Sequence, residues 1–360
     1  MPLPLLATQL VGSYTKPRWL YRREALLARQ LDQVWEPAPA VLEEAQRDAV
    51  RLAIADQERA GLDIITDGEQ GRASFVTYFY RLDGIDHQTL GPPNRDGIDL
   101  SFVSVSPESS IQRPEVLLPR IVGPLRWREP MALADLRFLK QHTRRPVKMT
   151  VIGPITAAAR LSDAYYGDLR AAALAMAEAL NQELRVLDAE GVDLLQLDEP
   201  DAHFLSQVTN PFVAEVLDRA IAGVKATTVV HLCYGYSIAM KNKRVDERFG
   251  AVLEAVAASA IDAINLEYEE PGHQPELLRH VGRKTVILGL LNLGTEEVAS
   301  PEYLASRIRG ALEVVPPERL LLSPDCGMWF LPRKVAFAKL RALVLAAEMV
   351  RAELAFLRGH

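Results

Sequence analysis

Along the chain, short continuous apolar runs alternate with longer segments whose apolar residues recur every three to four positions. Eight runs read as strands: 8–14 (TQLVGSY), 62–69 (LDIITDGE), 146–154 (PVKMTVIGP), 192–200 (VDLLQLDEP), 227–236 (TTVVHLCYGY), 261–270 (IDAINLEYEE), 284–294 (KTVILGLLNLG) and 319–327 (RLLLSPDCG). The segments between them read as amphipathic helices. Two of these end at Gly61 and Gly191, where a helix C-terminus favours a residue free to take positive φ. Two more open at Asn210-Pro211 and Ser300-Pro301, the order of an N-cap followed by Pro in the first turn. Strands that are apolar throughout, rather than alternating, are buried on both faces and so belong to a parallel sheet covered by helices. The α/β pattern with eight such strands predicts a single (β/α)8 TIM barrel spanning residues 1–360.

Two stretches exceed a minimal barrel. The segment 22–35 (RREALLARQLDQVW) adds a helical turn or two, and 73–130 forms a long elaboration after the second strand. The latter is rich in Pro, Gly and Ser, and its alternating stretch 98–106 (IDLSFVSVS) predicts a hairpin. A connection of this length is expected to carry a functional lid or an added structural unit.

Composition narrows the function classes. The 360 residues are 49% hydrophobic and 24% charged, which suits a large buried core. A formal net charge of −6 speaks against a nucleic-acid partner. No apolar run nears the roughly 20 residues that span a bilayer, and "MPLPLLATQLVGSY" lacks the basic start of a signal peptide. Two cysteines are too few for a disulfide framework, so a cytoplasmic, reducing setting is expected, with thiols serving a metal or catalysis.

In a barrel the chemistry collects where strands finish. Those ends carry Ser13, Asp67, Glu69, Asp198, Glu199, His231, Cys233, Glu267, Asp325 and Cys326. Side chains alternate along a strand, so His231 and Cys233 share a face. Imidazole, two thiols and a carboxylate are ligand types that suit Zn²⁺. Each piece has a plainer reading: free Cys packs well in cores, "PDCG" suits a turn, and Asp67 and Glu69 suit a helix start. Asp198 and Glu199 could simply pair with nearby arginines. The joint placement of both cysteines at strand ends favours chemistry.

The chain resembles the cobalamin-independent methionine synthase family, in the short form that keeps only the catalytic barrel. The resemblance runs through VGSY (11–14), ITDGEQGR (65–72), VIGP (151–154), LQLDEP (195–200), HLCYGY (231–236), NLEYEE (265–270) and LLSPDCG (321–327). It implies a methyltransferase making methionine, with zinc activating the thiol of homocysteine. The implied ligands are His231, Cys233, Glu267 and Cys326. The amino-acid part of homocysteine would lie against Gly12, Ser13, Glu69 and Asp198. The carboxylates suit its ammonium, and the GSY turn suits its carboxylate.

The methyl-donor side departs from the family's long members. Where those carry a proton-donating histidine and a tryptophan that stacks on folate, this sequence aligns Asn292 or Gly294 and Arg160, and no second barrel precedes the first. These departures lead to methylcobalamin or a methyl-corrinoid protein as the expected donor, with Trp329 and Phe330 as candidate contacts. The alternatives are methyl-tetrahydrofolate as donor, a zinc thiol alkyltransferase of the epoxyalkane:coenzyme M type, and a non-catalytic zinc-stabilised barrel. A metal-free decarboxylase of the related porphyrin-processing fold is disfavoured by the two strand-end cysteines. The sulfonate of coenzyme M would demand a cationic pocket, which Glu69 and Asp198 oppose.

Overall fold

The computed structural model describes residues 3–27, 30–106 and 117–358. In chain order its strands are β1 (Asp83–Gly91), β2 (Ser104–Val105), β3 (Leu118–Arg126), β4 (Lys148–Ile152), β5 (Ser162–Asp163), β6 (Leu194–Asp198), β7 (Thr227–Leu232), β8 (Met240–Lys241), β9 (Ala263–Leu266), β10 (Thr285–Gly289) and β11 (Leu320–Ser323). Six of them, β4, β6, β7, β9, β10 and β11, form one parallel sheet in that spatial order. Two short extended segments continue it at the edges. Thr8 bridges in parallel to Leu322, and Ile65 bridges in parallel to Val147. The amides of Asp63 and Ile64 donate to the Thr8 carbonyl, so the two segments also meet each other. The eight strand positions expected from the sequence are all present, arranged as a barrel.

Three strand starts share a device. Asp63, Asp193 and Asp262 each open an apolar run, and each accepts a backbone N–H from a neighbouring strand (Thr8, Val147 and Thr228, all at 2.8 Å). A charged acceptor thus satisfies amides at the barrel's N-terminal rim, where ladder bonds run out.

Burial follows the period of two. Ile264 and Leu266 belong to the large core between strands and helices. Ala263 points the other way, into a separate cluster with Ala7, Ile64, Leu194, Val229 and Ile287 that fills the barrel interior. Above it lies a polar layer, in which the fully buried Lys148 ammonium donates to Gln196 Oε1 at 3.0 Å.

The helices Pro39–Ala60 and Leu169–Ala189 end as expected, with Gly61 at φ 96° and Gly191 at φ 81°. Pro301–Leu312 is capped by Ser300, whose hydroxyl accepts from Tyr303 N–H. Two local expectations fail. The helix assigned to Asn210-Pro211 begins only at Val213, because both residues lie in a turn after the short helix Ser206–Thr209. No hairpin forms within 98–106. The only strand there, β2, pairs antiparallel with the distant β8, whereas the hairpin-like pair of the 73–130 elaboration is β1 with β3. Alternation told of a strand, not of its partner.

Candidate active site

The C-terminal ends of the parallel strands converge on a pocket lined by Ser13, Glu69, Asp198, His231, Cys233 and Cys326, among others. Of the residues expected at the site, Gly12 and Glu267 stand outside this lining.

His231 closes β7, and its Nδ1 lies 3.2 Å from the carbonyl of Asn265 on β9. A carbonyl only accepts, so Nδ1 carries a proton and Nε2 is the ring nitrogen left to face a metal. That Nε2 is buried with no hydrogen-bond partner. It faces Cys233 and Cys326, and the three ligand atoms lie within 4.8 Å of one another. The two sulfurs share a hydrogen bond that pulls the Cys233 thiol well below its ordinary value and pushes Cys326 above it. Gly235 N–H also points at Cys233 Sγ, at 3.4 Å.

Glu267 follows β9 and is fully buried. Its Oε1 takes a 2.6 Å ion pair from Lys243, and its Oε2 accepts Tyr234 N–H at 2.7 Å. The structure therefore places it beside the His–Cys–Cys group rather than in it. Lys243 also reaches the Gly235 carbonyl and Glu270. Burial opposes its charge, but Glu267 and Glu270 more than offset that and hold the ammonium above its ordinary value. Removing this cation as Lys243→Met would strand two buried carboxylates. A loss of about 3–5 kcal/mol is expected, read as a lower denaturation midpoint.

On the opposite wall, Glu69 sits at φ 56°, a left-handed conformation rare for a non-glycine residue. It is held there by its N–H to Asp67 Oδ1 (2.9 Å), by Thr150 Oγ1 donating to Oε1 (2.9 Å), and by Lys16 on its carbonyl. Gly12 lies against this carboxylate. A Cβ at that position would come within 2.5 Å of Glu69 Oε1, so the site requires glycine there. Gly327 is equally tight, since its Cβ would fall 2.2 Å from Ser13 Oγ, a hydroxyl that has no partner of its own. Asp198 accepts from Gln196 Nε2 at 2.8 Å, and burial, with Glu69 adding to it, pushes its carboxyl up to about 7.

Two strand-end acids turn out to be structural. Glu199 accepts the N–H groups of Ile155 and Thr156 at 2.9 and 2.8 Å, completing the N-terminus of helix Pro154–Ala159. Asp325 accepts three N–H groups of the loop 268–270, which fixes the chain beyond Glu267. Sequence reasoning missed Asn265 and Lys243. Asn265 was findable, being polar, two residues before Glu267 and on the same strand face; Lys243 sits in a loop with no local signal.

The profile described as "Cobalamin-independent synthase, Catalytic domain" matches residues 6–349. The chain belongs to the cobalamin-independent methionine synthase family. It is a methyltransferase. The chain is 32% identical over 361 residues to a methionine synthase of Thermococcus kodakarensis, covering 99% of this chain and 96% of that protein. A methionine synthase of Saccharolobus solfataricus is 32% identical over 357 residues, covering 98% and 97%. A solved B12-independent methionine synthase from Shewanella sp. W3-18-1, in complex with selenomethionine, superposes with a TM-score of 0.85. It shares 32% identity and covers 98% of this chain and 99% of its own.

The expected corrinoid donor is corrected by this membership, since the family and the Shewanella relative are named for independence from cobalamin. The structure shows why the supporting residues misled. Trp329 and Phe330 are 7% and 8% exposed and pack edge-on against Tyr236, so they offer no open face to a macrocycle. Nor does the elaboration leave the barrel mouth bare, since its Phe75 lines the pocket. Among the described residues no helix is long and apolar enough to cross a membrane.

Proposed function

We propose that this protein is a zinc-dependent methionine synthase that transfers a methyl group from methyl-tetrahydrofolate to the thiol of homocysteine, the whole chain with its 73–130 elaboration acting as one catalytic unit. The observation that carries the reading is the buried, unpartnered His231 Nε2 facing two cysteines. These donors fit zinc, whose bound thiols lose their proton and become nucleophilic near neutral pH. His231, Cys233 and Cys326 would hold it. Glu267 is the fourth ligand that the family resemblance implies, and to serve it would give up a contact with Lys243 or Tyr234.

The chain's remaining groups bind and orient the amino acid. Asp198 and Glu69 present two carboxylates for its ammonium, and the orphan Ser13 hydroxyl is placed to donate to its carboxylate. Burial of all three keeps water from competing for these bonds. With the sulfur held, its lone pair attacks the methyl carbon. The bond from that carbon to the pterin nitrogen breaks, and the nitrogen keeps the pair and takes up a proton, balancing the one that the homocysteine thiol gives up. Such a donor needs a surface for its ring, and Phe75 and Tyr236 line the pocket.

Zinc-loaded protein with homocysteine and methyl-tetrahydrofolate is expected to form methionine, followed by chromatography. Methyl transfer to homocysteine from no methyl-tetrahydrofolate, whether mono- or polyglutamylated, would overturn the donor assignment. Turnover independent of zinc would overturn the metal.

A further inference from the structure

Both oxygens of Glu267 are held, and the stronger hold is that of Lys243. The Lys243 side chain is 0% exposed. Its ammonium hydrogens are shared among Glu267 Oε1 (2.6 Å), the Gly235 carbonyl (2.7 Å), Ser237 Oγ (3.1 Å) and Glu270 Oε2 (3.2 Å). Glu267 Oε2 takes Tyr234 N–H, and Gly235 is the residue whose own N–H faces Cys233 Sγ. One cation thus ties the turn after Cys233 to the carboxylate that follows β9.

The backbone on each side is pinned as well. Glu267 N–H donates to the Leu232 carbonyl at 3.1 Å, and the amides of Tyr268, Glu269 and Glu270 all donate to Asp325. Lys243 is held from the opposite side by the 73–130 elaboration. There β2 pairs Ser104 with Lys241 and Val105 with Met240, and Arg244 N–H donates to the Phe102 carbonyl at 3.0 Å. Ammonium and carboxylate therefore meet between two fixed frames. For Glu267 to swing towards the cysteines, a buried ammonium would lose its nearest partner or a buried amide its acceptor. His231, Cys233 and Cys326 gather their ligand atoms within 4.8 Å without it, and Glu267 groups instead with Glu270 and Asp325.

We propose that Lys243 withholds Glu267 from the metal. On the zinc reading above, His231, Cys233 and Cys326 are then the only protein ligands, and the fourth position is kept for the substrate thiol. Three protein ligands with one open position is the arrangement of catalytic zinc, whereas four close a structural site. Charge favours the same outcome. Zn²⁺ with two thiolates and a neutral imidazole has no net charge, so an anionic sulfur joins it without first displacing a carboxylate. Lys243 is a positioning residue, and seating it is what the elaboration contributes to the site.

Zinc affinity of the full chain is read by competition with a chromogenic chelator. Homocysteine binding to the zinc-loaded chain is read by calorimetry, with no methyl donor present. Glu267→Gln is expected to hold zinc within about tenfold of wild type, as a residue outside the ligand set does, whereas Cys326→Ser should lose about a hundredfold or more. Lys243→Met frees the carboxylate to reach the metal, so zinc should be held about tenfold tighter and homocysteine about tenfold more weakly. A Lys243 that only props up the fold would weaken both, and that result overturns the proposal. So does a Glu267→Gln chain that loses zinc affinity by more than about tenfold. If the variants do not fold, a crystal structure of the zinc-loaded wild type decides. A Glu267 oxygen within about 2.2 Å of zinc overturns the proposal, and a carboxylate still on Lys243 upholds it. A wild type that binds no zinc removes the metal reading and this proposal with it. Zinc held without Glu267, but with no methyl transfer, upholds the proposal and removes the reaction.

Discussion

Replacing Cys326 by Ser is expected to abolish methionine formation, by at least about a thousandfold or roughly 4 kcal/mol in the barrier. The Sγ it removes is one of three donors gathered within 4.8 Å, and a hydroxyl neither matches the softness of thiolate nor ionises near neutral pH. Zinc bound per chain, read by atomic absorption, should fall with activity, and Cys233→Ser should behave alike. Folding is the control. Each cysteine sits at a strand end and contributes little to core volume, so circular dichroism should be close to wild type. A Ser variant that keeps full zinc and full turnover would show that the thiols are core packing and nothing more.

The second large effect is expected from Asp198→Asn. The carboxylate lies at the end of β6, 7% exposed, in a wall shared with Glu69. Asparagine keeps the shape and the contact with Gln196 but removes the charge that would meet the homocysteine ammonium. In a closed site that loss amounts to about 2–4 kcal/mol, or roughly 30- to 1000-fold in kcat/KM for homocysteine. Zinc content should not move. The diagnostic substrate is 4-mercaptobutyrate, the same thiol without its amino group. The wild type should favour homocysteine strongly over it, and the variant should lose most of that preference. An unchanged preference would assign the ammonium to Glu69 alone or to another group.

The strand ends were legible in the sequence because their chemistry is rare there. A His and a Cys two apart in an apolar run, a Glu at the end of the next strand and a Cys closing the last stand out against valines and leucines. Conversely, local pattern holds no record of partners brought from afar. Lys243 meets Glu267 across 24 residues, and Arg95 meets Asp201 across more than 100, each from a loop. Nothing near either residue marks it as buried. Glu199 and Asp325 were visible as acids at strand ends, but whether an acid faces substrate or a neighbouring loop's amides depends on backbone geometry that no sequence period encodes. The corrinoid expectation had a different weakness: it was built on a histidine and a tryptophan that the sequence lacks and on Trp329 and Phe330, which the fold buries.

The seam of the barrel joins the chain's two extremes. Thr8 bridges to Leu322, and Thr15 donates its hydroxyl hydrogen to the Leu331 carbonyl, 316 residues away. At roughly 5–20 residues per second on a ribosome, the first segment waits roughly 15–60 s for that partner. Throughout this interval the Thr8 segment's edge toward β11 is open, a stage at which unpaired strands invite association with other chains. Ser13 and Cys326 approach the pocket from opposite sides of the same seam. The last strand to leave the ribosome therefore both seals the ring and completes the cleft, and a nascent chain released before residue 320 would have neither.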